Sequence, residues 1–285
     1  MTVTIRPGHP DDAPELGRIC HAAFTAIANA HNFPPDFPNA EAATGVVRGM
    51  LGNSGFHGVV AEHDGKIAGS NFLDERSAIS GVGPITVDPE IQNKGIGGQL
   101  MRAVMDRSKA GGFAGIRLVQ AGYHMRSLSL YSKLGFEVRE HLSCLQGKAI
   151  DRRTDGYNVR AATNADLETC NALCRNVHGA DRNGELRDAV AGGGVSVVER
   201  GGRITGYTTA IAFFGHTVCE TTDDLKALIA AAKAFMGPGF LVPSRNGELL
   251  RWCLNHGLRV TQSLTLMTMG LYNEPAGAYL PSILY

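Results

Sequence analysis

From Thr2 to Arg6 polar and apolar residues alternate with the period of a half-buried strand, and Pro7 closes the run. Pro10-Asp11-Asp12 supplies helix caps, after which Leu16, Ile19, Cys20 and Phe24 recur at helical spacing. The prolines of His31-Asn32-Phe33-Pro34-Pro35-Asp36-Phe37-Pro38 forbid regular structure, so this stretch is expected as a stiff, aromatic loop. Phe33 and Phe37 need covering, and a substrate wall would cover them. Residues 58–62 and 67–72 read as strands joined by an Asp64-Gly65 hairpin turn. Residues 82–87 read as a third strand, ended by Asp88-Pro89. A glycine-rich loop, Gln92 to Gly98, leads into a helix in which Leu100 and Val104, and Met101 and Met105, stack one turn apart. A strand at 116–120, a short helix at 126–134 closed by Gly135, and a strand at 136–139 follow. The pattern is mixed α/β, with strand pairs early and strand–helix–strand crossovers late.

Part of this pattern occurs twice. Ile5-Arg6, Asp12, Ile19 and Cys20 recur as Val159-Arg160, Asp166, Leu173 and Cys174, an offset of 154. Gly65-Lys66-Ile67-Ala68-Gly69 recurs as Gly202-Arg203-Ile204-Thr205-Gly206, offset 137, and Leu134-Gly135-Phe136 as His256-Gly257-Leu258, offset 122. The order is kept while the offset shrinks, which predicts a duplicated domain whose second copy has lost loop residues. The polar stretch Lys148 to Gly156 is the natural linker. The expected units are residues 1–148, a linker at 149–157, and a second domain at 158–285.

Composition narrows the function. Lys plus Arg and Asp plus Glu are equal at 27 each, which argues against nucleic acid or an anionic membrane surface as the main partner. No run of 18 or more apolar residues offers a membrane span, and the first residues lack a signal-peptide pattern. Cys20, Cys144, Cys170, Cys174, Cys219 and Cys253 form no CxxC and no dense framework. They read as reduced, buried thiols of a cytoplasmic protein, and no metal site is expected.

The loop at 92–98 carries the chemistry. A strand, a Gly95-Ile96-Gly97-Gly98 turn and a helix N-terminus point several backbone N–H groups at one place, reinforced by the helix dipole. A merely tight turn would look the same, and a dinucleotide loop would look similar. However, the GxGxxG spacing and an early βαβ unit are both absent.

Gln92-Asn93-Lys94-Gly95-Ile96-Gly97-Gly98 resembles the Q/R-x-x-G-x-G/A motif of the GNAT superfamily of N-acetyltransferases. Thr86-Val87-Asp88-Pro89 is similar to that family's strand ending, and Leu130-Tyr131-Ser132-Lys133-Leu134-Gly135-Phe136 to its LYxxxGF signature. The resemblance covers residues 3–147 and holds only in outline over 158–270. It implies two tandem GNAT-like domains, each a twisted mixed sheet flanked by helices, the second a degenerate copy. It further implies that the amides of Gln92, Asn93, Lys94, Gly95, Ile96, Gly97 and Gly98 bind the acyl-CoA pyrophosphate. Edge groups of Thr86 and Val87 would pair with the pantetheine arm, placing the thioester in a splayed gap beside that strand. Tyr131 would be the general acid at the departing sulfur. Seven residues before the tyrosine the family commonly has Asn; here stands His124, which could bond the cofactor or shuttle protons. No carboxylate occupies the strand position of the family's usual base. Asp74, Glu75, Tyr123, His124 and a water chain remain open.

In the second half no glycines follow the corresponding strand, and Glu220, Asp223 and Asp224 crowd the helix start, where they cap well but would repel a pyrophosphate. Cys253 falls at the tyrosine position and Asn246 at that of His124. This copy is expected to be structural, to form a dimer surface, or to help bind the acceptor. The apolar tail Tyr279 to Tyr285 is expected to dock on the body. The leading expectation is acetyl transfer from acetyl-CoA to a small-molecule or peptide amine, with Phe33, Asp36 and Phe37 suiting a small cation with an apolar body. The alternative is a non-catalytic acyl-CoA-binding regulatory module.

Overall fold

The computed structural model describes residues 3–284. The first half runs β1 (Val3–Pro7), α1 (Ala13–Ala30), α2 (Ala40–Gly52), β2 (Phe56–His63), β3 (Lys66–Asp74), β4 (Ile79–Val82), β5 (Thr86–Val87), α3 (Ile96–Ala110), β6 (Gly115–Ala121), α4 (Met125–Lys133) and β7 (Glu137–Gln146). The second half repeats that order, with the single strand β11 where the first has β4 and β5, in β8 (Tyr157–Ala161), α5 (Leu167–His178), α6 (Asn183–Ala191), β9 (Ser196–Arg200), β10 (Arg203–Thr208) and β11 (Thr217–Cys219). It continues with α7 (Thr222–Ala231), β12 (Phe240–Pro243), α8 (Gly247–Asn255) and β13 (Arg259–Gly270), then adds β14 (Ala278–Leu280). Thr2, the expected start of the first strand, and Tyr285, the last residue of the tail, lie outside the described residues.

The duplication extends to side chains. Arg6 grips Asp12 at 2.8 Å and Glu62 at 2.7 Å, pinning β1 to the start of α1 and to β2. Arg160 grips Asp166 at 2.9 Å and Glu199 at 2.8 Å, doing the same for β8, α5 and β9. The positions differ by the two offsets already seen in the chain, so the same guanidinium fork closes the same corner in both halves.

Two strands depart from their expected bounds by more than two residues. The stretch at 82–87 is not one strand. β4 pairs with β3 at Leu73↔Val82, β5 pairs with it at Ser70↔Thr86, and the chain bulges between them at Gly83-Pro84-Ile85. Pro84 has no N–H to give a ladder, and Gly83 takes φ of +136°, open to glycine alone. β3 in turn needs Gly69 there, because a Cβ would stand 2.2 Å from the Thr86 carbonyl oxygen. β7, expected at 136–139, runs on to Gln146 because it has a partner on both sides.

Those partners join the halves. One sheet has the order β1-β2-β3-β4-β6-β13-β7-β12, with β5 on β3; the other has β14-β11-β10-β9-β8. Thus β13 of the second half pairs antiparallel with β6 of the first, over Leu264↔Ala121 to Gly270↔Gly115. β7 of the first half pairs with β12 of the second, over Phe240↔Leu145 to Pro243↔Leu142. Each half has thereby placed its last strand against the other. Buried Ile79, Leu142, Phe213, Leu241, Leu264 and Leu266 form a core cluster drawn from both. On the first half's other layer, α3 buries Ile96, Leu100, Met101 and Val104 against the sheet. Each contributes about 1.5–3 kcal/mol of burial.

β14 bears out the docking expected of the tail. It pairs antiparallel with β11, Thr217↔Leu280 to Cys219↔Ala278, and lies beside β12.

Candidate active site

β4 runs parallel to β6 from Ile79↔Gly115 to Val82↔Leu118, and there the pairing stops. The bulge at Gly83-Pro84-Ile85 carries β5 onto β3 while β6 continues to Ala121. The two strands therefore part, and a cavity of about 590 Å³ opens between them. Its walls include Thr86 and Val87 on one side and Val119, Gln120 and Ala121 on the other.

At one end of the cavity lies the N-terminus of α3. Gly95 is its N-cap, with φ of +77° in the left-handed region. The first intrahelical acceptor is used by Gln99, whose N–H donates to the Gly95 carbonyl at 3.2 Å. The amides of Ile96, Gly97 and Gly98 are left without helical acceptors, at the positive end of the helix dipole. Arg126 of α4 leans over this loop. Its guanidinium donates to Asn93 Oδ1 at 3.0 Å and to Gln92 Oε1 at 2.6 Å, and Gln92 Nε2 donates to the Val87 carbonyl at 3.1 Å. Gln92 and Asn93 thus shape the loop as well as line the cavity, while Lys94 is not on the wall.

Tyr131 reaches the wall from α4. Its ring packs edge-on to Phe136 at 6.3 Å, and burial pushes the phenol's pKa up, so the hydroxyl keeps its proton throughout the neutral range. His124, the residue before α4, is on the same wall. Burial pushes its pKa down to about 4, with Arg126 and His31 adding to the effect. At neutral pH it is therefore an uncharged imidazole, able to donate or accept a hydrogen bond. His124 Nε2, Thr86 Oγ1 and Gln120 Nε2 are buried polar atoms with no hydrogen-bond partner among the described residues. Three orphaned polar atoms around one cavity mark groups awaiting a polar ligand. Free amides, a cation and a gap between strands fit an acyl-CoA: anion at the helix, pantetheine between the strands.

Asp36 and Phe37 also line the cavity. Phe33 does not reach the wall. It stacks on Tyr123, ring centroids 4.3 Å apart and 12° from parallel, and so stiffens a residue that does. Gln262 of β13 donates to Asp36 at 3.4 Å. Burial pushes the Asp36 pKa up, and the Gln262 bond opposes that. Of the other base candidates, Asp74 is tied to Arg76 at 2.6 Å and Glu75 to Arg107 at 2.6 Å, and neither is on the cavity wall.

Sequence reasoning did not single out Arg126 or Gln120, and while it allowed the second half a part in binding the acceptor, it named none of the residues that half adds to the wall: Phe213, Phe214, Gln262, Leu264, Ile283 and Leu284. β13 brings Gln262 and Leu264 to the gap by pairing with β6. The tail reaches it because the Ile283 N–H donates to the Phe213 carbonyl at 2.8 Å. No local motif announces either event.

The matching gap in the second half is closed. β11 pairs with β10 at Gly206↔Cys219, as β5 pairs with β3 at Gly69↔Val87, so the two are equivalent. β14 lies along the other edge of β11. At the start of α7, Asp224 is fully buried and takes hydrogen bonds from Arg200 at 3.0 Å and Thr205 at 2.6 Å. A carboxylate sits where the first half offers free amides.

Residues 54–138 match the family model described as an acetyltransferase (GNAT) domain. A search of curated protein sequences finds no match. Among solved structures, a putative acetyltransferase from Pyrococcus horikoshii aligns over 97% of this chain and 94% of its own at 16% identity, TM-score 0.73. A GCN5-related N-acetyltransferase from Sphaerobacter thermophilus aligns over 95% and 96% at 16% identity, TM-score 0.59. A tandem GNAT protein from the clavulanic acid biosynthesis pathway aligns over 94% and 98% at 12% identity, TM-score 0.58. The fold is that of a tandem GNAT protein.

Proposed function

From a chain that carries a GNAT acetyltransferase domain in its first half, we propose an acetyl-CoA-dependent N-acetyltransferase with one working site. The parting of β4 and β6 after Val82↔Leu118, beside the free amides of α3, carries this reading. Ile96, Gly97 and Gly98 amides with Arg126 hold the pyrophosphate, and the gap between β5 and β6 takes the pantetheine arm. Tyr131, kept protonated by burial, gives its proton to the departing sulfur. The amine nitrogen bonds to the acetyl carbon as the carbon–sulfur bond breaks, giving an amide and CoA thiol. An amine arriving as ammonium loses two protons; one ends on sulfur by way of Tyr131 and the other in solvent. His124 donates or accepts a hydrogen bond and carries no charge. The six unpaired, buried thiols support a reducing compartment.

Thermal unfolding of the pure protein with acetyl-CoA, CoA or NAD tests the reading. A ligand of the native state raises the melting temperature by mass action. A rise with the CoA species alone, followed by amine-dependent thiol release, supports it. No rise with either CoA species overturns it.

A further inference from the structure

The acceptor end of the cavity belongs to both halves of the chain, and its chemistry is one-sided. Among the described residues the only carboxylate on the cavity wall is Asp36, and the only permanent cation is Arg126, whose guanidinium is engaged with Gln92 and Asn93 of the glycine loop. Asp36 has no cationic partner among the described residues. Its one hydrogen bond comes from the neutral Gln262 amide. A half-buried carboxylate left with a single neutral donor is under-satisfied, and an ammonium is the ligand that completes it. Around it the wall is apolar and aromatic: Phe24 and Phe37, edge to face at 5.9 Å, belong to the first half, and Phe213 and Phe214 to the second.

Resting on the acetyltransferase reading, we propose that the acceptor is a small primary amine on an apolar or aromatic body, bound between the two halves. Asp36 is the anchor for its ammonium, and Phe213 and Phe214 select its body. The second half thus supplies specificity to a reaction whose chemical groups lie in the first. The same pairing readies the nucleophile: the N–H bond of the ammonium breaks, its proton moves to the Asp36 carboxylate and from there to solvent before the next turnover, and the freed lone pair attacks the thioester carbon. Burial, which raises the pKa of Asp36, favours that transfer. Gln262, on the exchanged strand β13, orients the carboxylate across the boundary between the halves. Phe214 is 41% exposed, at the mouth, and can be truncated without opening a core.

The test uses the full-length protein, acetyl-CoA and three probes: 2-phenylethylamine, propylamine and 3-phenylpropionate. CoA affinity is measured separately by calorimetry. Thiol release should favour 2-phenylethylamine over propylamine at least tenfold in kcat/KM, and 3-phenylpropionate should not compete. Asp36→Asn should lose at least tenfold in kcat/KM with CoA affinity unchanged, together with the acid limb of its pH profile. Phe214→Ala should raise KM for 2-phenylethylamine and leave propylamine unaffected. If CoA binds but the two amines are used equally, or if both variants behave as wild type, the inference is overturned alone; if CoA binds and neither amine is used, the inference is overturned and the acetyltransferase reading loses its support. If CoA does not bind, the acetyltransferase reading fails, and this one falls with it.

Discussion

His124 and Asn246 hold the same place in the two halves, each the residue that caps the helix before its half's last strand. Their backbones agree, with φ and ψ of −88° and 72° at His124 and −76° and 68° at Asn246. Their side chains do not. Asn246 Oδ1 accepts the Leu249 N–H at 3.1 Å, a proper N-cap, whereas His124 makes no side-chain cap and leaves Nε2 buried and unpartnered. A residue kept from capping beside a cavity has given up stability at that spot. His124→Asn should therefore restore the cap and raise stability by about 1 kcal/mol. Urea unfolding of the free protein measures this. A variant less stable than wild type would mean that His124 has a structural partner not apparent from its surroundings.

Tyr131→Phe removes one oxygen from a buried ring and leaves the packing against Phe136 intact. Turnover should fall by about 10² or more while CoA affinity stays within twofold, because the hydroxyl acts only as the sulfur departs. Steady-state thiol release and calorimetry separate the two quantities. Unchanged turnover would remove Tyr131 from the proton path. Weakened CoA binding with normal turnover would make it a binding group.

The two halves should differ in their ligand count. In the first, the gap beside β5 is open and leads to the free amides of α3; in the second, β14 is hydrogen-bonded along β11 and Asp224 occupies the helix start. Titration calorimetry with CoA should give one site per chain. Arg126→Ala, which removes the cation over the loop, should weaken that site about tenfold. A second site, or indifference to Arg126, would contradict the assignment of the phosphate end.

What could be read from the chain was local. The glycine loop, Tyr131, the Asp64-Gly65 turn and the α1 apolar face each depend on a few neighbouring residues, and each stands where the pattern put it. The repeat was legible because a guanidinium fork needs its carboxylates at fixed offsets, so Arg6 and Asp12 kept their copies at Arg160 and Asp166. The bulge at Gly83-Pro84 was written in the sequence and still read as a continuous strand, since its apolar neighbours outweighed the two breakers. The exchange of β7 and β13 was not legible at all. Their pairing is long-range, and an apolar strand of either half would satisfy either sheet. With it went the second half's contribution to the cavity: Gln262 has no motif around it, and its meaning comes from being opposite Asp36.

The second half also sets an acid limit on stability. His178, at the end of α5, is buried with its ring edge-on to Tyr279 at 5.1 Å. Burial pushes its pKa from the ordinary 6.5 down to about 3, with Arg182, Arg117 and His216 adding like-charge pressure. In the unfolded chain the same imidazole takes a proton near pH 6.5, so below that pH the unfolded state binds more protons than the folded one. The stability contributed by keeping it neutral is complete above about pH 6.5 and is lost as pH falls toward 3. The loss approaches about 1.4 kcal/mol per pH unit for this one residue. His124, held down to about 4, steepens the fall over the upper part of the same window. Urea unfolding at pH 7 and pH 5 should therefore differ by roughly 2 kcal/mol on account of His178. His178→Gln, which cannot titrate, should shrink the difference by that amount whatever it does to stability at pH 7. An undiminished difference would show that His178 titrates alike in the folded and unfolded chain.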